Sequence, residues 1–121
     1  SFIFTTAMPE PVAAMALASL TRNTREQRER LAHNAAYLRR NLSQQGWTVL
    51  GQHHILPVVV GTRAVDLSDA LLSRGVFAPA IRYPTVPRGK ERIRLTVSAA
   101  HEHSHLNKIA SAIGVPAHLE R

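Results

Sequence analysis

Apolar residues dominate the first segment of the chain. Residues 9–22 are apolar on nearly every side, and Pro9 and Pro11 suit the first turn of a helix. A helix that is apolar all round is typically buried. We therefore predict a helix at 9–22 that packs against its own domain or against a partner.

A second predicted helix has a single apolar stripe. Thr24 and Gln27 have the spacing of a capping box, so this helix is expected to begin near Arg25 and to end at Gly46. Four apolar residues follow at spacings of four, three and four, namely Leu31, Ala35, Leu38 and Leu42. Such a stripe is typical of a helix that packs one face against a core.

Short strands and two further helices account for the remaining pattern. Strands or extended segments are predicted at 47–50, 55–60, 76–81 and 92–97. Pro57 and Pro79 indicate a free edge or a bulge, because proline has no N–H to donate within a sheet. Asp66 is expected to cap a short helix that Gly75 closes, and 103–113 is expected to form the last helix.

This order of elements predicts an α+β fold. We expect a small, largely antiparallel sheet with helices packed on one face, preceded by a long helical segment. The 121 residues are enough for one modest core. Aromatic residues make up only 5% of the chain, so this core is expected to be aliphatic.

Composition excludes several kinds of site. The chain has no cysteine, which excludes a disulfide scaffold, a thiolate zinc site and a cysteine nucleophile. No apolar run approaches the roughly 20 residues of a membrane span. Residues 1–10 lack the basic start of a signal peptide and an initial Met. We therefore expect a cytoplasmic segment of a longer chain, with no membrane partner.

The chain is basic, and most of its arginines fall into two groups. The formal net charge of +7 fits a nucleic acid, a membrane surface or an anionic substrate as partner. Arginines of the second helix are interleaved with Glu26 and Glu29, which is typical of a solvated helix face. A second basic cluster lies at 82–94, namely Arg82, Arg88, Lys90, Arg92 and Arg94. No nucleic-acid-binding motif accompanies either group, so we expect no nucleic-acid partner. A basic nucleic-acid-binding domain and a plain interaction module are the alternatives to an enzyme.

The predicted strand at 92–97 has two different faces. Alternation separates an apolar set, Ile93, Leu95 and Val97, from a polar set, Arg92, Arg94 and Thr96. A guanidinium in mid-strand can hold a carboxylate through two parallel hydrogen bonds. The alternative is that both arginines simply meet water. The preceding loop is stiffened by Pro84 and Pro87, and it presents Arg82 and Thr85 as a polar rim.

Seven histidines raise the question of a metal site. His101, His103 and His105 form an H-x-H-x-H pattern, which shares one face in a strand but diverges in a helix. Because a helix is predicted from 103, we expect no metal here. His53 and His54 precede a predicted strand, where a role in a turn or at an edge is expected.

Three blocks of sequence resemble one enzyme family. They are 2–9 (FIFTTAMP), 54–61 (HILPVVVG) and 80–101 (AIRYPTVPRGKERIRLTVSAAH). In order and spacing they resemble the α-oxoamine synthases, which are pyridoxal-phosphate-dependent enzymes of the aminotransferase class I/II family. The resemblance extends over nearly the whole chain, and it is to the C-terminal part of the family's sequences.

The resemblance implies a cofactor and a set of site residues. The cofactor is pyridoxal 5'-phosphate, and Thr5 and Thr6 match the pair that reaches the cofactor phosphate of the neighbouring subunit in a homodimer. Arg94 matches the arginine that binds the amino acid carboxylate. Thr85 matches a threonine of the substrate pocket near the acyl chain.

The resemblance also implies a reaction, the condensation of an amino acid with an acyl thioester with loss of CO2. Arg82 matches an arginine of the members that join alanine to a pimeloyl thioester in biotin synthesis, whereas 5-aminolevulinate synthases carry asparagine there. Arg82 with Thr85 therefore favours the biotin branch. Tyr83 and the run at 2–6 match the aminolevulinate type, which stays the alternative together with other α-oxoamine synthases.

A division of the chain follows from the same resemblance. Residues 1–22 match the end of the large cofactor-binding domain and a linking helix, and 23–121 match the C-terminal small domain of the type I fold. The family's Schiff-base lysine lies in a motif upstream of the first block, and Lys90 and Lys108 occur in no such motif. The resemblance thus implies a fragment that has no catalytic residue of its own and is inactive alone.

Overall fold

The structure, a computed structural model, describes residues 7–116. Its elements are α1 (Glu10–Arg22), α2 (Arg25–Gln44), β1 (Thr48–Val49), β2 (Ile55–Val59), α3 (Ala64–Ser73), β3 (Ala80–Ile81), β4 (Arg92–Thr96) and α4 (His103–Ile113). This order confirms the predicted succession of helices and strands. The strands are shorter than predicted, whereas α4 has the predicted bounds.

The four strands form one sheet in the order β1-β2-β4-β3, and every pair in it is antiparallel. The long strands β2 and β4 pair in the centre, with Leu56 opposite Leu95. Pro79 directly precedes β3, which is an edge strand as predicted. Pro57 is a different case, because β2 is an inner strand. The Pro57 carbonyl accepts the Leu50 N–H at 2.8 Å, and only the bond that the missing N–H of Pro57 would return to β1 is absent.

The core lies between one face of the sheet and the helices α2, α3 and α4. Its fully buried large side chains come from all three helices and from both central strands, namely Leu38, Leu42, Leu56, Val58, Leu71, Ile93 and Leu106. The core is aliphatic, as composition predicted. The predicted α+β architecture, with helices on one face of an antiparallel sheet, is confirmed.

Helix starts agree with the sequence at α2 and disagree at α3. In the capping box of α2, the Gln27 N–H donates to Thr24 Oγ1 at 3.2 Å and the Thr24 N–H donates to Gln27 Oε1 at 3.1 Å. The prediction that Asp66 caps α3 is wrong. A 3-10 turn at Gly61–Arg63 leads directly into Ala64, so Asp66 lies inside the first turn.

Helix α1 lies outside this core. None of its residues is buried by the described part of the chain, although Met15, Leu17 and Leu20 are large and apolar. Packing of this helix against its own domain is therefore not observed. The apolar side chains of this helix are therefore left exposed by residues 23–116. None of the helices described between residues 7 and 116 is both long and apolar enough to cross a membrane.

Candidate functional site

Strand β4 has one face in the core and one face that no helix covers. Ile93 and Leu95 are buried, whereas Arg94 and Thr96 are exposed and Arg92 is half-buried. The predicted alternation is therefore confirmed residue by residue. All three packed helices cover the Ile93 face, so Arg94 projects from the opposite side of the sheet.

Two prolines flank Arg94 on the neighbouring strands. Pro57 lies directly opposite it on β2, and the Arg94 N–H donates to the Pro79 carbonyl at 3.0 Å on the other side. The one ion pair within residues 7–116 joins Arg25 to Glu29 on the surface of α2. Among these residues, the guanidinium of Arg94 has no carboxylate partner. Its donors remain available to a planar anion.

Arg92 differs from Arg94 although both lie on the same face. Its Nε donates to the Lys90 carbonyl at 3.1 Å. Its backbone pairs with Val59 on one side and Ile81 on the other. Arg92 therefore helps to hold the start of β4, and Arg94 is the better placed of the two to bind a ligand.

The loop from β3 to β4 carries the two other predicted substrate residues. Arg82 and Thr85 are both exposed, and the Thr85 N–H donates to the Arg82 carbonyl at 3.0 Å in a tight turn. The guanidinium of Arg88 lies over the Tyr83 ring, 5.0 Å from its centroid. Pro79 lies beside Arg94, and β3 ends at Ile81, so Arg82 begins the loop at the end of the strand that neighbours Arg94.

Thr5 and Thr6, the predicted cofactor-phosphate residues, lie outside the described residues. Lys90 lies in the loop before β4, and Lys108 lies on α4 with its Nζ beside Gly75, behind the sheet relative to Arg94. Lys90 is exposed, and Lys108 lies on the helix-covered side of the sheet.

The histidines of the H-x-H-x-H pattern do not converge. His101 and His105 have ring centroids 6.1 Å apart, whereas His103 packs edge-on against Tyr37 at 4.5 Å. Within residues 7–116, no group of three or more His, Asp or Glu is arranged to hold a metal ion. His53 and His54 lie in the bend that precedes β2, and the His54 carbonyl accepts the Val97 N–H at 2.8 Å.

A cleft of about 630 Å³ between α2 and residues 52–54 is lined by arginines and alanines, away from Arg94. Two of its arginines are already engaged. Arg39 donates to the carbonyls of Gly51 and His53, and Arg28 donates to the carbonyl of Asn23 at 2.9 Å. These bonds fasten turns to α2. We therefore interpret the cleft as structural and the uncovered sheet face as the candidate site.

Two buried polar side chains were not predicted. Asn34 donates from Nδ2 to the carbonyls of Ser98 at 3.1 Å and His101 at 2.8 Å, which ties α2 to the turn after β4. Glu91 is buried, and its Oε2 has no hydrogen-bond partner among the described residues. The signal for Glu91 was present in the alternation, which puts it on the same face as Ile93. Asn34 falls four residues before Leu38 on the apolar stripe of α2.

The comparisons with known proteins agree with this geometry. The model of the aminotransferase class I and II family matches residues 1–113. The chain therefore belongs to this family, whose cofactor is pyridoxal 5'-phosphate, as the resemblance implied.

Its relatives place it among the α-oxoamine synthases. The 8-amino-7-oxononanoate synthase of Methylobacillus flagellatus is 42% identical over 113 residues, covering 89% of this chain and 28% of that protein. The 5-aminolevulinate synthase of Rhizobium meliloti is 41% identical over 118 residues, covering 93% and 29%. The chain thus spans less than a third of the curated relatives that it matches.

A solved structure confirms the fold. The serine palmitoyltransferase of Sphingomonas wittichii superposes with a TM-score of 0.84 at 25% identity, covering 93% of this chain and 30% of that one. The chain therefore has the fold of a C-terminal segment of the type I pyridoxal-phosphate-dependent transferases. The fold class expected from the sequence is confirmed.

Proposed function

We propose that this chain is the C-terminal part of an enzyme that condenses an amino acid with an acyl thioester, with loss of CO2. The observation that carries the proposal is Arg94, an exposed guanidinium on an uncovered sheet face with no carboxylate partner among residues 7–116. Such a group binds a substrate carboxylate through two parallel hydrogen bonds and thereby fixes the orientation of the amino acid.

The proposed substrates are alanine and a pimeloyl-type thioester, in biotin biosynthesis. Arg82 with Thr85 supports this choice, as do relatives named 8-amino-7-oxononanoate synthase. The alternative is a 5-aminolevulinate synthase type or another α-oxoamine synthase. Tyr83 favours that alternative, and the relative of this type is 41% identical.

The proposed roles divide between two ends of the site. Arg94 binds the amino acid carboxylate, and Arg82 and Thr85 line the path of the acyl chain. Their exposure on the rim of the β3–β4 loop supports this role, because a substrate can reach both side chains. Thr5 and Thr6 would contact the cofactor phosphate of the neighbouring subunit in a homodimer.

We further propose that residues 1–22 end the large domain and link it to a small domain at 23–121. The separation of α1 from the core of α2, α3 and α4 supports this boundary. The chain alone is then inactive, since neither Lys90 nor Lys108 lies in a cofactor pocket. The parent enzyme is expected in the cytoplasm.

The test is a substrate competition in the full-length enzyme that contains this chain. Release of CO2 is followed with alanine and pimeloyl thioester, and separately with glycine and succinyl thioester. We expect turnover with the first pair at least tenfold above turnover with the second. Faster turnover of glycine and succinyl thioester would establish the alternative, and turnover of neither pair would reject both.

A further inference from the structure

The loop from β3 to β4 carries three exposed cations and no exposed acid. Arg82, Arg88 and Lys90 are exposed, whereas Glu91, the one acidic residue of this loop, is buried. None of the three cations forms an ion pair within residues 7–116, because the ion pair described there lies on α2. The loop therefore presents positive charge that is free to attract an anionic ligand.

Two tight turns give this loop a defined shape. The first spans residues 82–85, and in the second the Lys90 N–H donates to the Pro87 carbonyl at 3.0 Å. Gly89 is the third residue of the second turn, and its φ of 77° is the left-handed value that a type II turn has at this position. The Lys90 carbonyl accepts the Nε of Arg92 at 3.1 Å, which fastens the second turn to β4. The cations thus project from a backbone that hydrogen bonds hold in place.

Arg88 differs from the other two cations because an aromatic ring holds its guanidinium. The guanidinium carbon lies 5.0 Å from the centroid of the Tyr83 ring, which is within the range of a cation–π contact. A guanidinium that stacks on a ring keeps its in-plane N–H groups available, whereas a lysine amine is a point charge on a flexible stem. Of the three cations, Arg88 is therefore the one that is both positioned and able to bind an anion at two points.

The position of this guanidinium indicates which part of a substrate it meets. Under the proposed function, Arg82 and Thr85 line the path of the acyl chain. Arg88 reaches back to Tyr83, the residue directly after Arg82, so its guanidinium lies beside that path. The far end of a pimeloyl chain is a second carboxylate, which matches the planar fork of an arginine. A chain that ends in a methyl group gains nothing from a cation at this place.

We propose that Arg88 determines specificity for acyl thioesters whose chain ends in a carboxylate, and that Tyr83 is its positioning residue. The inference rests on the proposed function and adds to it the residue that recognises the far end of the acyl chain. Arg88 donates two parallel hydrogen bonds to the terminal carboxylate. The Tyr83 ring restricts the arginine before the substrate arrives, so less side-chain freedom is lost on binding.

The test compares the pimeloyl and heptanoyl thioesters of coenzyme A as substrates of the full-length enzyme, with alanine as the amino acid. The two acyl chains have the same length, and only the pimeloyl chain ends in a carboxylate. The ratio of their kcat/KM values measures the preference for that carboxylate. The matched variants are Arg88→Gln and Arg30→Gln, which removes an exposed arginine of α2.

Arg88→Gln should lower the ratio about tenfold, which is what the loss of a hydrogen bond to a charged group costs. Arg88→Lys should lie between this variant and wild type, and Arg30→Gln should keep the wild-type ratio. Tyr83→Phe keeps the ring and should keep the ratio, whereas Tyr83→Leu should lower it by less than Arg88→Gln does. This rescue by phenylalanine separates positioning of Arg88 from a role of the tyrosine hydroxyl.

An unchanged ratio in Arg88→Gln would overturn the proposal. If both kcat/KM values fall together in this variant, Arg88 binds a part that the two thioesters share, such as the phosphates of coenzyme A, and the proposal is wrong. Dissociation constants of both thioesters, measured by equilibrium dialysis without an amino acid, separate this result from failure of the proposed function. If the enzyme condenses neither thioester but binds pimeloyl coenzyme A more tightly in an Arg88-dependent way, the specificity role stands and the proposed reaction fails. Equal binding of both thioesters to wild type would reject the specificity role.

Discussion

Matched substitutions in the full-length enzyme can distinguish the role of Arg94 from that of Arg92. Both arginines lie on the uncovered face of β4, but among residues 7–116 only the guanidinium of Arg92 makes a hydrogen bond, from Nε to the Lys90 carbonyl. Lysine keeps the charge and loses the planar fork that holds a carboxylate at two points. Arg94→Lys and Arg92→Lys therefore differ only in the position that is changed.

The magnitude follows from the number of charge-assisted bonds that Arg94 can form. Each is worth about 1.5–3 kcal/mol, and about 1.4 kcal/mol corresponds to a factor of ten in affinity. Loss of the clamp in Arg94→Ala should weaken amino acid binding at least tenfold, with Arg94→Lys between Ala and wild type. Arg92→Lys should leave amino acid affinity within about twofold.

The assay measures amino acid affinity by the absorbance change of the cofactor, and acyl-thioester affinity by steady-state kinetics. The thioester should bind Arg94→Ala almost as well as wild type, because the clamp contacts the other substrate. The reasoning fails if Arg94→Ala binds the amino acid normally while Arg92→Ala does not. If neither substitution matters, both arginines are solvated side chains of an exposed sheet face.

Three further predictions concern the 121-residue chain itself. Asn34→Ala removes two hydrogen bonds and should lower the free energy of unfolding by about 1–3 kcal/mol in urea, and Asn34→Asp should cost more because its carboxylate faces two carbonyls. Asn41→Ala on the same helix is the control, and an equal loss there would contradict the role of Asn34. Borohydride treatment with pyridoxal phosphate should give no stoichiometric adduct at one lysine, and a specific adduct at Lys90 or Lys108 would reject the proposed inactivity of the chain. Binding to duplex DNA should be weak and should disappear with salt, since only counterion release drives it; sequence-selective binding at physiological salt would favour a nucleic-acid function.

Elements whose pattern is local were predicted correctly. The capping box of α2 needs only Thr24 and Gln27, and the bounds of α4 follow from its apolar spacing and from Gly114. The two faces of β4 follow from strict alternation over five residues. In each case the residues that decide the structure are neighbours in the sequence, so no tertiary information was required.

Features that depend on distant residues were missed. Asn34 is buried because it binds carbonyls 64 and 67 residues away. The start of α3 was missed for a local reason instead, because the 3-10 turn from Gly61 begins helical geometry before Asp66. The apolar faces of α1 predicted burial, but burial needs a second surface, and a sequence pattern does not locate it.

The two prolines beside Arg94 determine how the backbone pairs around this residue in the sheet. The Arg94 N–H points to Pro79 on β3, so Pro57 on β2 occupies a non-hydrogen-bonded site and its missing N–H costs β4 nothing. Pro57 accepts the Leu50 N–H at 2.8 Å but has no N–H to return, so the pairing of β1 with β2 ends there. Pro79 likewise has no N–H to donate to the Arg94 carbonyl on the β3 side. The packed helices all lie on the other face of the sheet, and the guanidinium makes no hydrogen bond within residues 7–116, which leaves its donors for a substrate carboxylate.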